Sequence, residues 1–467
     1  MKDLQEMMMG LRAAGRGSGQ SGDADAAAKE EWAYSAGLQI WLFGLALMKF
    51  EQFRRLMNKL EAPAENLPYA PINQIGHMRQ LPTSDSMMPF TPNVDTLYSG
   101  SILELKDRPM VFTAPAMPDR YWSLELADAF LANLPYLGTR VTGREAGAWL
   151  IVGPHWEGEV PDGLTLYRCP TNSVMIALRV RIEGPWDTEA VVTLQHGFRL
   201  TTLENYLGGT MKPAPRYDAG EPDGATHDLA FFTTLCRLLA DNPPYERDRP
   251  IVEMMKVLGL TPGAVIDPDS IDPDFRRGLV RASETGPSVI GWRVKYRGTK
   301  SPTYWGVDLR GGSYGTDYLS RAEGAVQGLF VHDAEECEYF HAYHDGSGQL
   351  LNGSNTYRIH FAADQIPPVH PFGFWSITAY TPMYMLIPNE HHRYSVQSSD
   401  RDLVLNPDGS LDIAVGPAAP AENLANWIAT TPGELFRLNM RVYLPQDPML
   451  DEKTVLHFLP PIERTNA

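Results

Sequence analysis

The residues best suited to chemistry lie in the stretch Asn93-Val94-Asp95-Thr96-Leu97-Tyr98. Pro89 and Pro92 precede it, fix their own φ and favour extended geometry in the residues before them. We therefore expect residues 88–93 to form a rigid, non-helical segment, then a turn built by Asn and Asp side chains, then a strand. A carboxylate, an amide and a phenol would be held at one strand entrance. They form either an Asx-turn that caps the strand or a preorganised cluster at the floor of a pocket.

His77 and Arg79 precede this stretch and complete a set with catalytic potential. In an enzyme without a cofactor, Asp95 would be the general acid or base. Tyr98 and His77 would orient the reacting group, and Arg79 would hold an anion. These roles predict hydrolysis or elimination on a small, partly apolar molecule that bears a carboxylate or a carbonyl group.

A second group lies on a predicted strand at residues 374–380, where Trp375 faces opposite to Ser376 and Tyr380. An aromatic wall beside a guanidinium and an acid suits a small organic substrate, although aromatic residues on strands more often pack in a core. Because pockets form preferentially between domains, we expect one pocket shared by the two halves of the chain. It would be lined by Asn93, Asp95, Tyr98, Trp375 and Tyr380.

Histidines raise the alternative of a metal site. His341 and His344 would share one face of a helix, but their surroundings predict a strand, on which residues three apart point to opposite faces. A metal-dependent oxygenase would need histidines from separate strands, such as His77, His344 and His360. We expect no metal and no cofactor.

Composition narrows the range of partners. The chain has 467 residues, of which 43% are hydrophobic, so a packed core and two or three domains are expected. Forty Lys and Arg against 57 Asp and Glu give a formal charge of −17, which argues against nucleic acid and anionic membranes. Three cysteines form neither a metal pattern nor a disulfide framework. The most apolar run, residues 36–48, is shorter than the roughly 20 residues of a membrane span, and no secretory signal is evident, so a cytoplasmic protein is expected.

The elements that must position these residues follow a simple order. Helical periodicity covers residues 30–60, short β-type runs continue to residue 182, helical character returns over 188–258, and strands return from 338 to 443. The order predicts a β-rich α+β protein with two antiparallel β domains, with helices before the first and between the two. We expect a mobile N-terminus (1–29), helices and a first β domain (30–187), a helical connecting region (188–330) and a C-terminal β domain (331–467).

The motifs also resemble two known families. Asn93-Val94-Asp95-Thr96-Leu97-Tyr98 followed by Asp119-Arg120-Tyr121 resembles the domain of unknown function 1254, over residues 32–207. Phe374-Trp375-Ser376 before Tyr380, with Arg441-Val442-Tyr443, resembles its partner, the domain of unknown function 1214, over residues 339–462. The resemblance implies two jelly-roll-like β-sandwich domains and a homo-oligomer. One departure is Ile428-Ala429-Thr430-Thr431-Pro432, where the family usually has Leu-Pro-x-Pro, and a changed pocket rim there would change ligand preference.

Three classes of function remain open. The leading hypothesis is a cofactor-independent hydrolase or lyase that acts on a small molecule. The second is a non-catalytic ligand-binding or oligomeric assembly protein with tandem jelly-roll domains, because each motif is also typical of turns and strand packing. The third is the metal-dependent oxygenase on a cupin-like sandwich. A shared fold does not decide among them.

Overall fold

A computed structural model describes residues 22–86, 91–209, 228–296 and 298–465. The chain divides into two compact units. The first unit holds Met1–Leu45 and Asp223–Gly291, and the second holds Ala46–Pro222 and Trp292–Ala467. The helices of the described residues are α1 (Gly22–Asn58), α2 (Thr188–Gln195), α3 (Leu203–Tyr206), α4 (Asp228–Leu238), α5 (Arg249–Val257), α6 (Pro273–Lys295) and α7 (Tyr318–Gln327).

In the first unit, small residues let helices α1 and α6 approach closely. A Cβ atom added to Gly278 would lie 2.3 Å from the backbone oxygen of Glu30, so the contact excludes any larger residue at this position. Ion pairs flank the contact, with Lys29 Nζ 2.7 Å from Asp272 Oδ2 and Arg281 Nη1 2.8 Å from Glu30 Oε1. The helical unit is thus held by close packing of the two helices along with surface ion pairs.

The second unit begins with a β-sandwich of two sheets. Its strands are β1 (Gly76–His77), β2 (Thr96–Glu104), β3 (Met110–Ala114), β4 (Trp122–Asp128), β5 (Leu137–Gly138), β6 (Gly147–Val152), β7 (Thr165–Arg168), β8 (Ser173–Arg181) and β9 (Arg199–Thr202). Sheet I has the order β1-β2-β8-β4-β5, and sheet II the order β7-β6-β3-β9. Apolar side chains from both sheets, such as Leu97, Phe112, Trp122 and Leu178, meet in one core. Alternation along the strands directs the other side chains away from this core.

A second sandwich follows in the same unit. Its strands are β10 (Thr299–Lys300), β11 (Trp305–Val307), β12 (Cys337–Ala342), β13 (Tyr357–Phe361), β14 (Val369–Tyr380), β15 (Ser395–Gln397), β16 (Leu411–Gly416), β17 (Trp427–Ala429), β18 (Arg437–Pro445) and β19 (Ile462–Arg464). Sheet III has the order β10-β11-β12-β18-β14-β15, and sheet IV the order β17-β16-β13-β19. Phe340, Trp375, Ile413 and Met440 belong to its core.

The two sandwiches are topological repeats of each other. Adding ten to each strand number of sheets I and II gives the order of sheets III and IV, apart from the additional edge strand β10. The registers agree as well. In sheet I, Arg179 on the central strand lies opposite Tyr98 and Ser123. In sheet III, Arg441 lies opposite Tyr339 and Ser376. Counting from these two arginines therefore identifies equivalent positions in the two halves.

The predicted architecture is confirmed: the protein is β-rich α+β, with two β-sandwich domains, a helix before the first and helices between the two. Each sandwich also contains one parallel strand pair, β6–β7 and β16–β17, where antiparallel pairing alone was expected. Helix α1 begins at Gly22 and not at residue 30, and residues 199–202 form β9 by pairing with β3. Helix α6 lies inside the predicted helical connecting region (188–330), but the sequence indicates helical periodicity only up to residue 258, because the glycines and the internal Pro287 of α6 weaken the pattern.

Two predictions fall on segments outside the described residues. They are the mobility of the first 21 residues and the rigid geometry of residues 88–90. In the described ranges, no helix has both the length and the apolar character needed to cross a membrane.

Candidate functional site

Asn93 builds the turn at the entrance of β2. Its Oδ1 atom accepts hydrogen bonds from the backbone N–H groups of Asp95 (2.7 Å) and Thr96 (3.1 Å), which is the Asx-turn geometry expected for this residue. Its Nδ2 atom donates to the hydroxyl groups of Tyr98 (3.2 Å) and Tyr443 (2.6 Å). One side chain therefore both caps the strand and connects the first sandwich to strand β18 of the second.

The Asp95 carboxylate lies between the two sandwiches and is 0% exposed. Its Oδ2 atom accepts a hydrogen bond from Ser376 Oγ on β14 at 2.6 Å, and its Oδ1 atom has no partner in the described ranges. Burial raises the pKa of Asp95, whereas the Arg441 charge and the Ser376 hydroxyl oppose that rise. A buried carboxylate with one oxygen left unpaired is a costly arrangement that calls for a physical explanation.

Arg441 lies on the central strand β18 and is 4% exposed. Its Nη2 atom donates to the backbone oxygen of Thr91 at 3.1 Å, and Nη1 has no hydrogen-bond partner among the residues described. The Tyr380 hydroxyl donates to the backbone oxygen of Pro92 at 2.8 Å. The lead-in, which we define as residues 91–95, therefore lies on the outer face of sheet III. In the described chain Asp95 and Arg441 attract each other without forming an ion pair within 4.0 Å.

The second sandwich makes the reciprocal contact. Glu336 precedes β12 by one residue, as Asp95 precedes β2. Its Oε1 atom accepts a hydrogen bond from the Tyr121 hydroxyl (2.7 Å), and its Oε2 atom accepts one from Arg140 Nε (2.7 Å). Both donors belong to the first sandwich. Burial raises the pKa of Glu336, and the hydrogen bonds from Arg140 and Tyr121 oppose the rise.

Arg179, the equivalent of Arg441, is the centre of a buried cluster on sheet I. It donates to Glu125 Oε2 (2.5 Å), to His332 Nε2 (2.5 Å) and to the backbone oxygen of Phe330 (3.0 Å). Because a guanidinium can only donate, His332 Nε2 must carry a lone pair, and the imidazole is therefore neutral with its proton on Nδ1. Burial and the neighbouring Arg179 and Arg140 charges lower the pKa of His332, in agreement with this assignment.

The structure brings together four of the seven residues proposed from sequence. Asn93, Asp95 and Tyr380 meet at the junction of the sandwiches, and Tyr98 joins them through its hydroxyl contact with Asn93. The Tyr98 ring lies 4.8 Å from the guanidinium carbon of Arg179. These four residues therefore lie at or beside the junction of the two sandwiches.

His77 and Arg79 lie elsewhere. His77 pairs with Ser99, which directly follows Tyr98 on β2, so it belongs to the opposite face of sheet I. Its Nδ1 atom contacts Ser99 Oγ at 2.7 Å, and Arg79 Nη1 donates to Gln195 Oε1 at 3.1 Å. Burial, with the charges of Arg79 and His196, lowers the pKa of His77 to about 4. The structure therefore does not place these two side chains beside Asp95.

The prediction that Trp375 lines a pocket at the junction is wrong. Its ring stacks on Phe361 with a centroid distance of 6.0 Å, and it belongs to the core of the second sandwich. The neighbouring Ser376 faces Asp95, and alternation along β14 turns Trp375 to the other side of sheet III. The described ranges also hold no group of three or more His, Cys, Asp or Glu residues placed to bind a metal ion.

Sequence reasoning did not assign roles to Ser376, Arg441, Glu336 or the Arg179 cluster. A signal existed for part of this set. Tyr121-Trp122-Ser123 and Phe374-Trp375-Ser376 share an aromatic-Trp-Ser pattern, and Asp95-x-x-Tyr98 parallels Glu336-x-x-Tyr339. Aligning these pairs would have identified the repeat, because each pair occupies equivalent strands.

One comparison with a solved structure agrees with this architecture. The crystal structure of the VPA0106 protein from Vibrio parahaemolyticus has a TM-score of 0.70 and 20% sequence identity, and the match covers 93% of this chain and 100% of that one. This likeness shows the fold. An uncharacterised protein from Burkholderia cenocepacia has a TM-score of 0.44 and 11% identity, with 94% of each chain covered. No curated protein matches the sequence.

Family models match both sandwich regions. Residues 72–202 match the family described as protein of unknown function DUF1254, and residues 336–447 match the family described as protein of unknown function DUF1214. The first match contains Asp95 and β2 to β9, and the second contains Glu336 and β12 to β18. The resemblance of the motifs is confirmed, and the chain carries a DUF1254 region followed by a DUF1214 region.

Proposed function

We propose that the protein is an enzyme that catalyses hydrolysis or elimination on a small organic substrate without a cofactor, and that Asp95 transfers the proton. The observation that supports this proposal is the state of the Asp95 carboxylate. One oxygen is held by Ser376 Oγ, and the other has no partner in the described part of the protein. Buried titratable groups with perturbed pKa values cluster at functional sites.

The chemistry follows from the neighbours of Asp95. Burial raises its pKa, which brings the carboxyl group closer to the range where it can both hold and release a proton near neutral pH. Arg441 supplies a fixed positive charge whose Nη1 atom is available to a carbonyl or carboxylate oxygen of a substrate. In a water-excluded site, such a preorganised cation would stabilise the negative charge that develops in the transition state.

The proposal requires the lead-in to move, because Asp95 and Arg441 are covered in this conformation. The lead-in includes Thr91, whose φ of 52° is unfavourable for a β-branched residue. It is held on sheet III by the bonds from Arg441 and Tyr380 to backbone oxygens. The N–H groups of Asp95 and Thr96 are bonded to Asn93 within the same turn, so opening would expose them together.

A substrate screen tests the proposal. Wild-type protein and the variant Asp95→Asn would be assayed on a panel of small carboxylate esters and β-substituted carboxylic acids. We expect turnover by the wild type and a loss of about 10²–10⁴-fold in the variant, the usual contribution of a general acid or base. Asp412→Asn, at a partly exposed carboxylate that bonds His360 on sheet IV, is the matched control and should retain activity. Equal turnover by Asp95→Asn and wild type would overturn the proposal.

A second candidate function, a non-catalytic binding or assembly protein, is favoured by a different observation. Each of three side chains makes a hydrogen bond that joins the first sandwich to the second: Asn93, Asp95 and Tyr380. On this hypothesis Asp95 is a structural clamp. Asp95→Asn would then lower the midpoint of thermal unfolding, and the substrate panel would reveal no turnover by either protein.

A further inference from the structure

Arg437 is a buried guanidinium at the start of β18, four residues before Arg441 and on the same face of sheet III. It is 5% exposed. Its Nε and Nη2 atoms donate to Asn439 Oδ1 at 2.9 and 2.6 Å, and Nη2 also lies 2.9 Å from His341 Nδ1. The rings of Tyr343 and Tyr384 lie 4.9 and 4.7 Å from its guanidinium carbon. We call these five residues the Arg437 cage.

The Arg437 cage contains a positive charge without an acidic partner. Within the described ranges, Arg437 forms no ion pair with any Asp or Glu, and burial, together with the nearby Arg441 charge, lowers the pKa of its guanidinium. Asp95 is the carboxylate that acts on Arg441. Two buried cations on one strand are thus balanced by one buried carboxylate. This deficit is notable in a chain with a net charge of −17, and a buried charge normally has a partner.

The repeat supplies an internal comparison that shows what the fold itself needs. Counting four residues back from the equivalent arginines, Arg437 corresponds to Met175, which is 0% exposed. Asn439 corresponds to Ala177 by the same count. Tyr384 and Leu131 occupy the same loop position after β14 and β4, with φ of 62° and 57°.

His341 also has an apolar counterpart. It pairs with Asn439, and the equivalent Ala177 pairs with Gly100. One sandwich thus builds this region from apolar residues, whereas the other places an arginine, an amide, an imidazole and a tyrosine there. The same strand arrangement is thus formed in the first sandwich without the polar set. Polar residues that break a repeat at a cost to stability are expected where function demands them.

We propose that the Arg437 cage is a binding site for a small organic monocarboxylate with an apolar body. The guanidinium fork would hold the carboxylate, with Nη1, which makes no hydrogen bond in the described chain, as a free donor. Tyr343 is 43% exposed, so the cage borders solvent, and the adjacent Met383 is also exposed. These side chains offer apolar surface to the remainder of the ligand. The proposal rests on the proposed function in one respect, namely that the ligand is the substrate of the Asp95 reaction, and the binding test below needs no turnover by Asp95.

Equilibrium binding tests the site. Benzoate, cyclohexanecarboxylate and inorganic phosphate would be titrated into the full-length wild type and three variants, with binding followed by calorimetry. Arg437→Met copies the residue of the first sandwich, and we expect it to weaken benzoate binding by about 10–100-fold, the effect of losing a charge-assisted fork. Arg437→Lys, which keeps the charge and loses the fork, should lie between them. Arg358→Met, at an exposed arginine paired with Glu463 on sheet IV, should bind as the wild type does.

Thermal unfolding distinguishes a binding role from a structural one. If Arg437 serves the ligand, Arg437→Met should unfold at the wild-type temperature or above it, because an uncompensated buried charge has been removed. If the role of Arg437 is structural, Arg437→Met should unfold at a lower temperature than the wild type. Benzoate should then bind equally to the two proteins or to neither of them. That result, or tighter binding of phosphate than of either carboxylate by the wild type, would overturn the proposal. If Arg437→Met does not fold, the benzoate titration of Arg437→Lys tests the proposal instead. Wild-type affinity for benzoate in Arg437→Lys would contradict carboxylate binding by the guanidinium fork.

Discussion

Asp95 and Glu336 occupy equivalent positions in the two sandwiches, and each accepts hydrogen bonds from the other sandwich. Asp95 directly precedes β2 and accepts from Ser376 of the second sandwich, and Glu336 directly precedes β12 and accepts from Tyr121 and Arg140 of the first. The two carboxylates therefore make reciprocal hydrogen bonds across the junction of the two sandwiches. Through these contacts, Asp95 and Ser376 of the two family motifs lie together at the junction.

The reciprocal contact predicts a large loss of stability when Glu336 is truncated. Glu336→Ala leaves Arg140 Nε without its acceptor and Tyr121 OH with Ser123 Oγ as its remaining partner, and we expect a loss of about 2–4 kcal/mol. Glu336→Gln keeps one acceptor oxygen and should lose less. The midpoint of urea unfolding measures both. Glu463→Ala, which removes an exposed ion pair with Arg358, is the control and should shift stability by less than about 1 kcal/mol. A Glu336→Ala variant as stable as this control would show that the contact is not structural.

The raised pKa of Asp333 leads us to predict a specific pH dependence of stability. Burial raises its pKa from 3.8 to about 6, against the hydrogen bond from Asn133. Since the folded-state pKa lies above the ordinary value, the proton favours the folded state. This contribution is full below pH 3.8 and is lost as the pH rises through about 6. The free energy of unfolding of Asp333→Asn should therefore change less than that of the wild type between pH 4 and 7. We expect the two changes to differ by about 2–3 kcal/mol. Parallel unfolding curves of the two proteins at every pH would contradict this.

For His77 we predict a pH dependence of stability in the opposite direction. Its pKa is lowered from 6.5 to about 4, so the ring stays neutral in the folded protein and the stabilisation is present above pH 6.5. It is lost as the pH falls from 6.5 through 4. An NMR titration of the imidazole resonances should show no protonation of His77 down to about pH 5, as expected from that lowered value. A midpoint near 6.5 would mean that the ring is hydrated and that its contact with Ser99 is not maintained.

The sequence indicated the architecture and one half of the site, for identifiable reasons. Turn chemistry at Asn93 and alternation along β14 are local properties, so the Asx-turn and the orientation of Ser376 and Tyr380 followed from residue types alone. The separation of His77 from Tyr98 did not, because it depends on the pairing of β1 with β2 and on which neighbour each residue opposes. Trp375 shows the same limit. Its alternation was predicted correctly, but the face of β14 that meets the first sandwich is determined by tertiary packing.

The burial of the charged side chains on β18 could not be predicted from the sequence. Arg437, Asn439 and Arg441 form the polar half of an alternating run that is typical of a strand with one solvent-exposed face. In the structure this face is buried, and its meaning appears only in comparison with Met175, Ala177 and Arg179 of the other sandwich. The equivalence rests on strand register, which a single sequence does not specify.

Steady-state kinetics of wild type, Asp95→Asn and Arg437→Met on one substrate from the carboxylate panel would test the account most directly. The account predicts a split between the two variants. Asp95→Asn should lower kcat by about 10²–10⁴-fold with KM little changed, because the proton transfer is lost. Arg437→Met should raise KM by about 10–100-fold with kcat largely retained, because substrate binding is lost. Wild-type kcat in Asp95→Asn together with wild-type KM in Arg437→Met would contradict the account.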